Sequence, residues 1–220
     1  MNQLHIDSLA KSYNDKVILS DVYLHCKIGE IKGLIGRNGS GKSTLLKIIF
    51  GIEGAENKFV RAGGKIIKKV EDGRNIINYL PQDNFLPNGV LIKTLIHIFL
   101  KNYERKEVLN NEYIEPLLKK KNQQLSTGEK RIIEILLIIH SEAKFILLDE
   151  PFNGLSPILK NYVVSYIKKM KLKKGFIITD HDYENVVGIS DELSYLKNGY
   201  LKKLNHKNEL VELGYLTTPM

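Results

Sequence analysis

Apolar and polar residues alternate early in the chain. Val22, Leu24, Cys26 and Ile28 alternate with Tyr23, His25 and Lys27. A period of two predicts half-buried antiparallel strands across residues 4–28, broken by a turn at Asn14-Asp15. The pattern then changes. Residues 31–35, 76–80, 144–148 and 176–179 are short, nearly continuous apolar runs, as expected of strands buried on both faces. Helical spacing follows the first of them, from Leu45 to Phe50, with Gly51 as the stop. It recurs at Leu91, Leu95, Ile98 and Phe99, at Tyr113, Leu117 and Lys121, and over residues 162–174. Ile132 to Ile139 is apolar almost all round, which predicts a largely buried helix. Ser126, followed three residues on by Glu129, predicts a capping box at its start. Gly63-Gly64 and Asn198-Gly199 mark two hairpins. The pattern predicts one α/β domain over residues 1–220: a mainly parallel sheet, an antiparallel β subdomain, and a short helical lobe inserted at about residues 83–125.

Three of the buried runs end in polar clusters: Gly36 onward, Asp149-Glu150 and Asp180-His181. Open parallel sheets bind ligands beyond the carboxyl ends of their strands, so these clusters are expected to converge. The first is the most informative. Gly36-Arg37-Asn38-Gly39-Ser40-Gly41-Lys42-Ser43-Thr44 fits the phosphate-binding pattern G-x-x-x-x-G-K-[ST] between a strand and a helix. Its glycines let successive N–H groups point inward at phosphate oxygens, and the helix aims its positive end there. Lys42 supplies a mobile charge for the terminal phosphates, and the Ser43 hydroxyl suits Mg²⁺. The motif alone predicts a nucleotide with Mg²⁺, held by Gly36, Asn38, Gly39, Ser40, Gly41, Lys42, Ser43 and Thr44.

The 220 residues carry a formal net charge of +8, which favours anionic partners without choosing among them. The single cysteine, Cys26, rules out an intrachain disulfide, and a reducing compartment is the default expectation. Residues 1–13 lack a secretory leader pattern, and the longest apolar stretch is too short to span a bilayer. The lysine runs at 119–121 and 168–174 read as solvated faces.

The ordered series Tyr13, Gly36 to Thr44, Gln82, Leu125-Ser126-Thr127-Gly128-Glu129, Phe145 to Pro151, Asn153 to Pro157 and His181 resembles the nucleotide-binding subunit of ABC transporters over nearly the whole chain. The resemblance implies a P-loop NTPase core that binds and hydrolyses ATP. It implies Tyr13 stacked on adenine, Asp149 with Ser43 and Gln82 at the metal, and Glu150 as general base. It implies His181 at the terminal phosphate, and Ser126, Gly128 and Glu129 closing on the nucleotide of an opposite subunit. It also implies a homodimer or heterodimer, transmembrane permease subunits on other chains, and a cytoplasmic position on the inner face of the cell membrane. No nucleic acid is expected.

Three features depart from the family pattern. The signature is usually L-S-G-G-Q, whereas here it holds Thr127 and Glu129. Thr127 adds a side chain where close backbone approach is expected, and Glu129 adds a negative charge that Lys130 and Arg131 are expected to offset. Ser156 stands where Asp is frequent, which bears on coupling between subunits. The lobe is short for the family. Glu129-Lys130-Arg131 and Thr179-Asp180-His181 are similar to the lipopolysaccharide-export and branched-chain amino-acid branch. Two rival readings are a soluble ABC ATPase acting on ribosomes or DNA, and a nucleotide-gated regulatory module. One cassette and no sustained heptads argue against the first, and Glu150 with His181 argues against the second.

Overall fold

The computed structural model describes residues 3–181, 183–206 and 208–215. The chain opens with β1 (Gln3–Tyr13) and β2 (Lys16–Lys27), paired antiparallel, with β4 (Asn57–Ala62) on the other side of β1 and β5 (Lys65–Ile66) beyond it. The second sheet is built from β3 (Ile31–Ile35), β6 (Ile77–Leu80), β7 (Phe145–Asp149), β8 (Gly175–Thr179), β9 (Glu192–Lys197) and β10 (Tyr200–Leu204). Its order is β10-β9-β3-β8-β7-β6, parallel except for β10. The two strand patterns in the sequence thus became two sheets.

The continuous apolar runs are explained by what covers each face. Ile146 and Leu148 of β7 face one apolar cluster, while Phe145 and Leu147 face another. The second cluster lies between the sheets and holds α1 (Lys42–Phe50) through Leu45, Leu46, Ile48 and Ile49. The first is covered by α4 (Thr127–Ile139), α5 (Pro157–Met170) and α6 (Tyr183–Ile189), together with the inserted lobe. That lobe holds α2 (Ile92–Phe99) and α3 (Asn102–Leu109). A last short helix, α7 (Glu209–Glu212), follows the β9–β10 hairpin, whose turn residues Asn198 and Gly199 both have positive φ.

Four expectations need correcting. The buried stripe of α2 is Ile92, Leu95 and Ile96; Ile98 and Phe99 face out, at 69% and 43% exposure. The segment is apolar on two faces, so spacing alone did not pick the register. No α-helix joins Tyr113, Leu117 and Lys121: the Asn111 side chain accepts from the Tyr113 amide, and Pro116 lies in a single 3₁₀ turn, Glu115–Leu117. α5 begins at Pro157, capped by Ser156, and ends at Met170 rather than spanning 162–174. The second lysine run is not all solvated. Lys174 is buried and donates to the carbonyls of Ser141 (2.6 Å) and Ala143 (2.5 Å). No described helix is long and apolar enough to cross a membrane.

Candidate nucleotide site

β3, β8 and β7 are neighbours, so their carboxyl ends bring Gly36, Asp180 and Asp149 to one edge of the sheet. There a cleft of about 490 Å³ is lined by Tyr13, Ile18, residues 38–44, Gln82, Glu150 and His181. Segments separated by more than a hundred residues in sequence meet in one space.

The phosphate loop is shaped by close approach. A Cβ at Gly36 would come within 2.7 Å of the Leu196 carbonyl, and one at Gly41, where φ is +104°, within 2.9 Å of Ile18. Gly41 caps α1 with no side-chain hydrogen bond, and the first turn holds no acidic residue, so its own side chains leave the amide groups of the helix N-terminus unneutralised. The Ser40 hydroxyl is buried without a partner among the described residues. Lys42 is buried, and its ammonium donates to the carbonyls of Gly36 (2.8 Å) and Arg37 (3.3 Å). Burial lowers its pKa, against the pull of Glu150, Asp149 and Asp180.

The Ser43 hydroxyl donates to Asp149 Oδ1 at 3.0 Å, and the Tyr79 hydroxyl donates to Oδ2 at 2.9 Å. Burial pushes the Asp149 carboxyl up, and these two bonds oppose the shift. Tyr79 was missed in the sequence because it lies within β6, where an aromatic reads as core. Ser43 and Asp149 offer hard oxygen donors beside the phosphate loop, a donor set that fits Mg²⁺. Glu150 follows at φ +49°, and one of its carboxylate oxygens gathers two groups: Gln82 Nε2 donates to it at 3.0 Å, and His181 Nδ1 lies 3.5 Å away. His181 Nδ1 is equally close to Asp180, whose other oxygen accepts from the Phe152 amide at 2.9 Å.

Tyr13 ends β1 with its ring half exposed toward the cleft. Lys11 lies over the ring at 4.7 Å, and the hydroxyl bonds Glu53, so one face of the ring is engaged.

Ser126, Gly128 and Glu129 are not in this cleft; Ser126, the N-cap of α4, is exposed. The capping box is formed. The Glu129 amide donates to Ser126 Oγ (3.2 Å), and the Ser126 amide donates to Glu129 Oε2 (2.7 Å). The Glu129 charge is met by Lys120 at 3.2 Å, not by Arg131, whose guanidinium turns inward. The Thr127 methyl lies beside Gly154, where an added Cβ would approach it to 3.0 Å.

A family model described as "ABC transporter" matches residues 19–153. The lipopolysaccharide export system ATP-binding protein LptB of Acidithiobacillus ferridurans is 31% identical, over 95% of this chain and 92% of that one. The ABC transporter ATP-binding protein YtrB of Bacillus subtilis (strain 168) is 30% identical, over 95% of this chain and 74% of that one. A solved ATP-binding subunit of an ABC transporter shares the fold, with a TM-score of 0.83 at 24% identity, over 96% of this chain and 93% of that one. The match spans both sheets and the phosphate loop, and the chain belongs to the ABC transporter family, as one of its ATP-binding proteins.

Proposed function

We propose that this chain hydrolyses ATP in the cleft and so drives transmembrane permease subunits carried on other chains, from the cytoplasmic face of the cell membrane. The observation that carries the reading is the wall opposite the phosphate loop, where Gln82 and His181 share one oxygen of Glu150.

On this reading the loop amides and Lys42 hold the β- and γ-phosphates, with Lys42 exchanging its two carbonyl partners for phosphate oxygens. Tyr13 stacks on adenine. Ser43 and Asp149, with Gln82, would hold Mg²⁺, which when bound would neutralise phosphate charge. Glu150 accepts the proton of the attacking water, and Gln82 and His181 fix the carboxylate in place. His181 also reaches the terminal phosphate. Phosphoryl transfer asks the protein mainly for positioning and electrostatic stabilisation, which this arrangement can supply.

Two copies would then close on two nucleotides, each bound by one copy's phosphate loop and the other's Ser126, Gly128 and Glu129. The exposed, capped N-terminus of α4 lies outside its own cleft, which supports a partner's nucleotide as its target. ATP that binds the closed pair more tightly than the open one shifts the population toward closure, and hydrolysis reverses it.

Glu150→Gln tests the reading. It keeps the shape and loses the base, so turnover should fall by about 10²–10⁴-fold. With MgATP the variant should elute as a dimer in size-exclusion chromatography with light scattering. Turnover at the wild-type rate would remove Glu150 from the role of base, and a monomer at saturating MgATP would overturn the paired mechanism.

A further inference from the structure

α4 does more than present the signature. Five residues after Ser126, Arg131 is buried, and its guanidinium reaches three backbone carbonyls. Nη1 donates to Pro81 at 2.8 Å; Nη2 donates to Asp149 at 2.7 Å and to Glu150 at 2.9 Å. Pro81 immediately precedes Gln82. One turn along, the fully buried Glu134 meets Arg131 Nη1 at 3.4 Å and accepts the Phe85 amide at 2.9 Å. One turn of α4 therefore holds the Gln82 segment on both sides of Gln82 and the peptide that carries Glu150.

That peptide needs holding. Glu150 is a non-glycine residue at φ +49°, a strained conformation that persists only where its surroundings impose it. Its amide donates to Thr179 at 2.7 Å, and its carbonyl is gripped by Arg131. A buried ion pair is a poor way to add stability, since apolar residues of similar size often do better. Arg131 Nε is moreover buried with no partner among the described residues. The arrangement is costly as packing and effective as a linkage.

The geometry points to Arg131 and Glu134 as a positioning pair that fixes Gln82 against Glu150 and ties both to the helix whose N-terminus bears the signature. A shift of α4 then moves the catalytic carboxylate and its glutamine together. The inference deepens the proposed function and rests on its reading of Glu150 and Gln82.

The test uses Arg131→Lys and Glu134→Gln in the full chain, with ATPase kinetics, equilibrium binding of a fluorescent ATP analogue and melting temperature. A lysine cannot span three carbonyls as a planar fork does. Glu134→Gln keeps an acceptor for Phe85 but loses the charge facing Arg131. Both variants should lose about tenfold or more in kcat, while KM for MgATP and analogue affinity stay within about threefold, because the phosphate loop is untouched. Wild-type kcat in either variant overturns the pair as a unit. A parallel fall in kcat, nucleotide affinity and melting temperature also overturns it, in favour of a structural role. The kcat loss is expected whether or not Glu150→Gln traps a dimer. A lowered kcat without that trap keeps the positioning pair and overturns the paired mechanism instead.

Discussion

Two lysines lie buried at opposite ends of the same parallel sheet. Lys42 follows the carboxyl end of β3, and Lys174 precedes the amino end of β8. Each ammonium donates to two backbone carbonyls, and burial lowers the pKa of each. Their surroundings differ. Lys42 borders a cleft and feels three carboxylates, Glu150, Asp149 and Asp180, next to a helix whose first turn has no acidic residue and a Ser40 hydroxyl without a partner among the described residues. At Lys174 two further lysines, Lys144 and Lys173, lower the pKa further, and one carboxylate, Glu104, opposes them. The neighbouring buried His140 is paired with Tyr166. A buried charge alone does not mark a site. What marks it is a set of donors that a ligand could satisfy better than the protein does.

Removing each lysine should break this symmetry. Lys42→Ala should cost about 4 kcal/mol of MgATP affinity, about a thousandfold, since two charge-assisted contacts to phosphate are worth about 1.5–3 kcal/mol each. Its melting temperature should change little. Lys174→Met should bind MgATP within about twofold of wild type, because its carbonyl partners lie at the far end of the sheet. Titration calorimetry on both variants checks the contrast. Comparable losses of affinity would mean that the two ends of the sheet are not functionally distinct.

The same contrast explains what was legible in the sequence. The phosphate loop, Asp149-Glu150 and His181 could be read because each follows a buried strand, and an apolar run leading into a polar cluster is visible in one dimension. Arg131, Glu134 and Tyr79 could not. Each sits inside an apolar helix or strand, and its polar contacts are set by the crossing of α4, β6 and β7. Lys174 was misread for a similar reason. It ends a lysine-rich run whose other members suggest a wet face, and only the carbonyls of Ser141 and Ala143, in the segment between α4 and β7, draw it inward. The charged α3 was missed because, among its described residues, it buries only Val108 in the core and so carries little apolar period.

A smaller effect sharpens the lysine comparison through pH. Burial pushes the Lys174 pKa down from 10.5 to about 8. The sign follows from proton binding: between these values the unfolded chain holds the proton and the folded chain has released it, so this group makes stability rise with pH across the window. The rise is on the order of 3 kcal/mol and absent below about pH 8. Urea denaturation at a series of pH values should show a gain in wild type that Lys174→Met lacks. Parallel curves for the two proteins would mean that Lys174 is not desolvated as the structure has it.

The smallest of these effects concerns the Tyr13 end of the cleft. The Tyr13 hydroxyl bonds Glu53 at the surface, while its ring borders the cleft and Lys11 covers one face. If the free face is the platform for the base, Tyr13→Ala should weaken MgATP binding by about tenfold, near the lower end of the 1–3 kcal/mol typical of base–aromatic stacking. Tyr13→Phe should stay within about twofold, since the hydroxyl points away from the ligand. Stacking is tolerant of base identity, so MgGTP should lose as much as MgATP in the alanine variant. Triphosphate without a base should bind the variant and wild type alike, because the phosphate loop is shared and the ring is not. An alanine variant that binds tripolyphosphate as poorly as ATP would place Tyr13 among the supports of the phosphate loop and leave the base without a platform there.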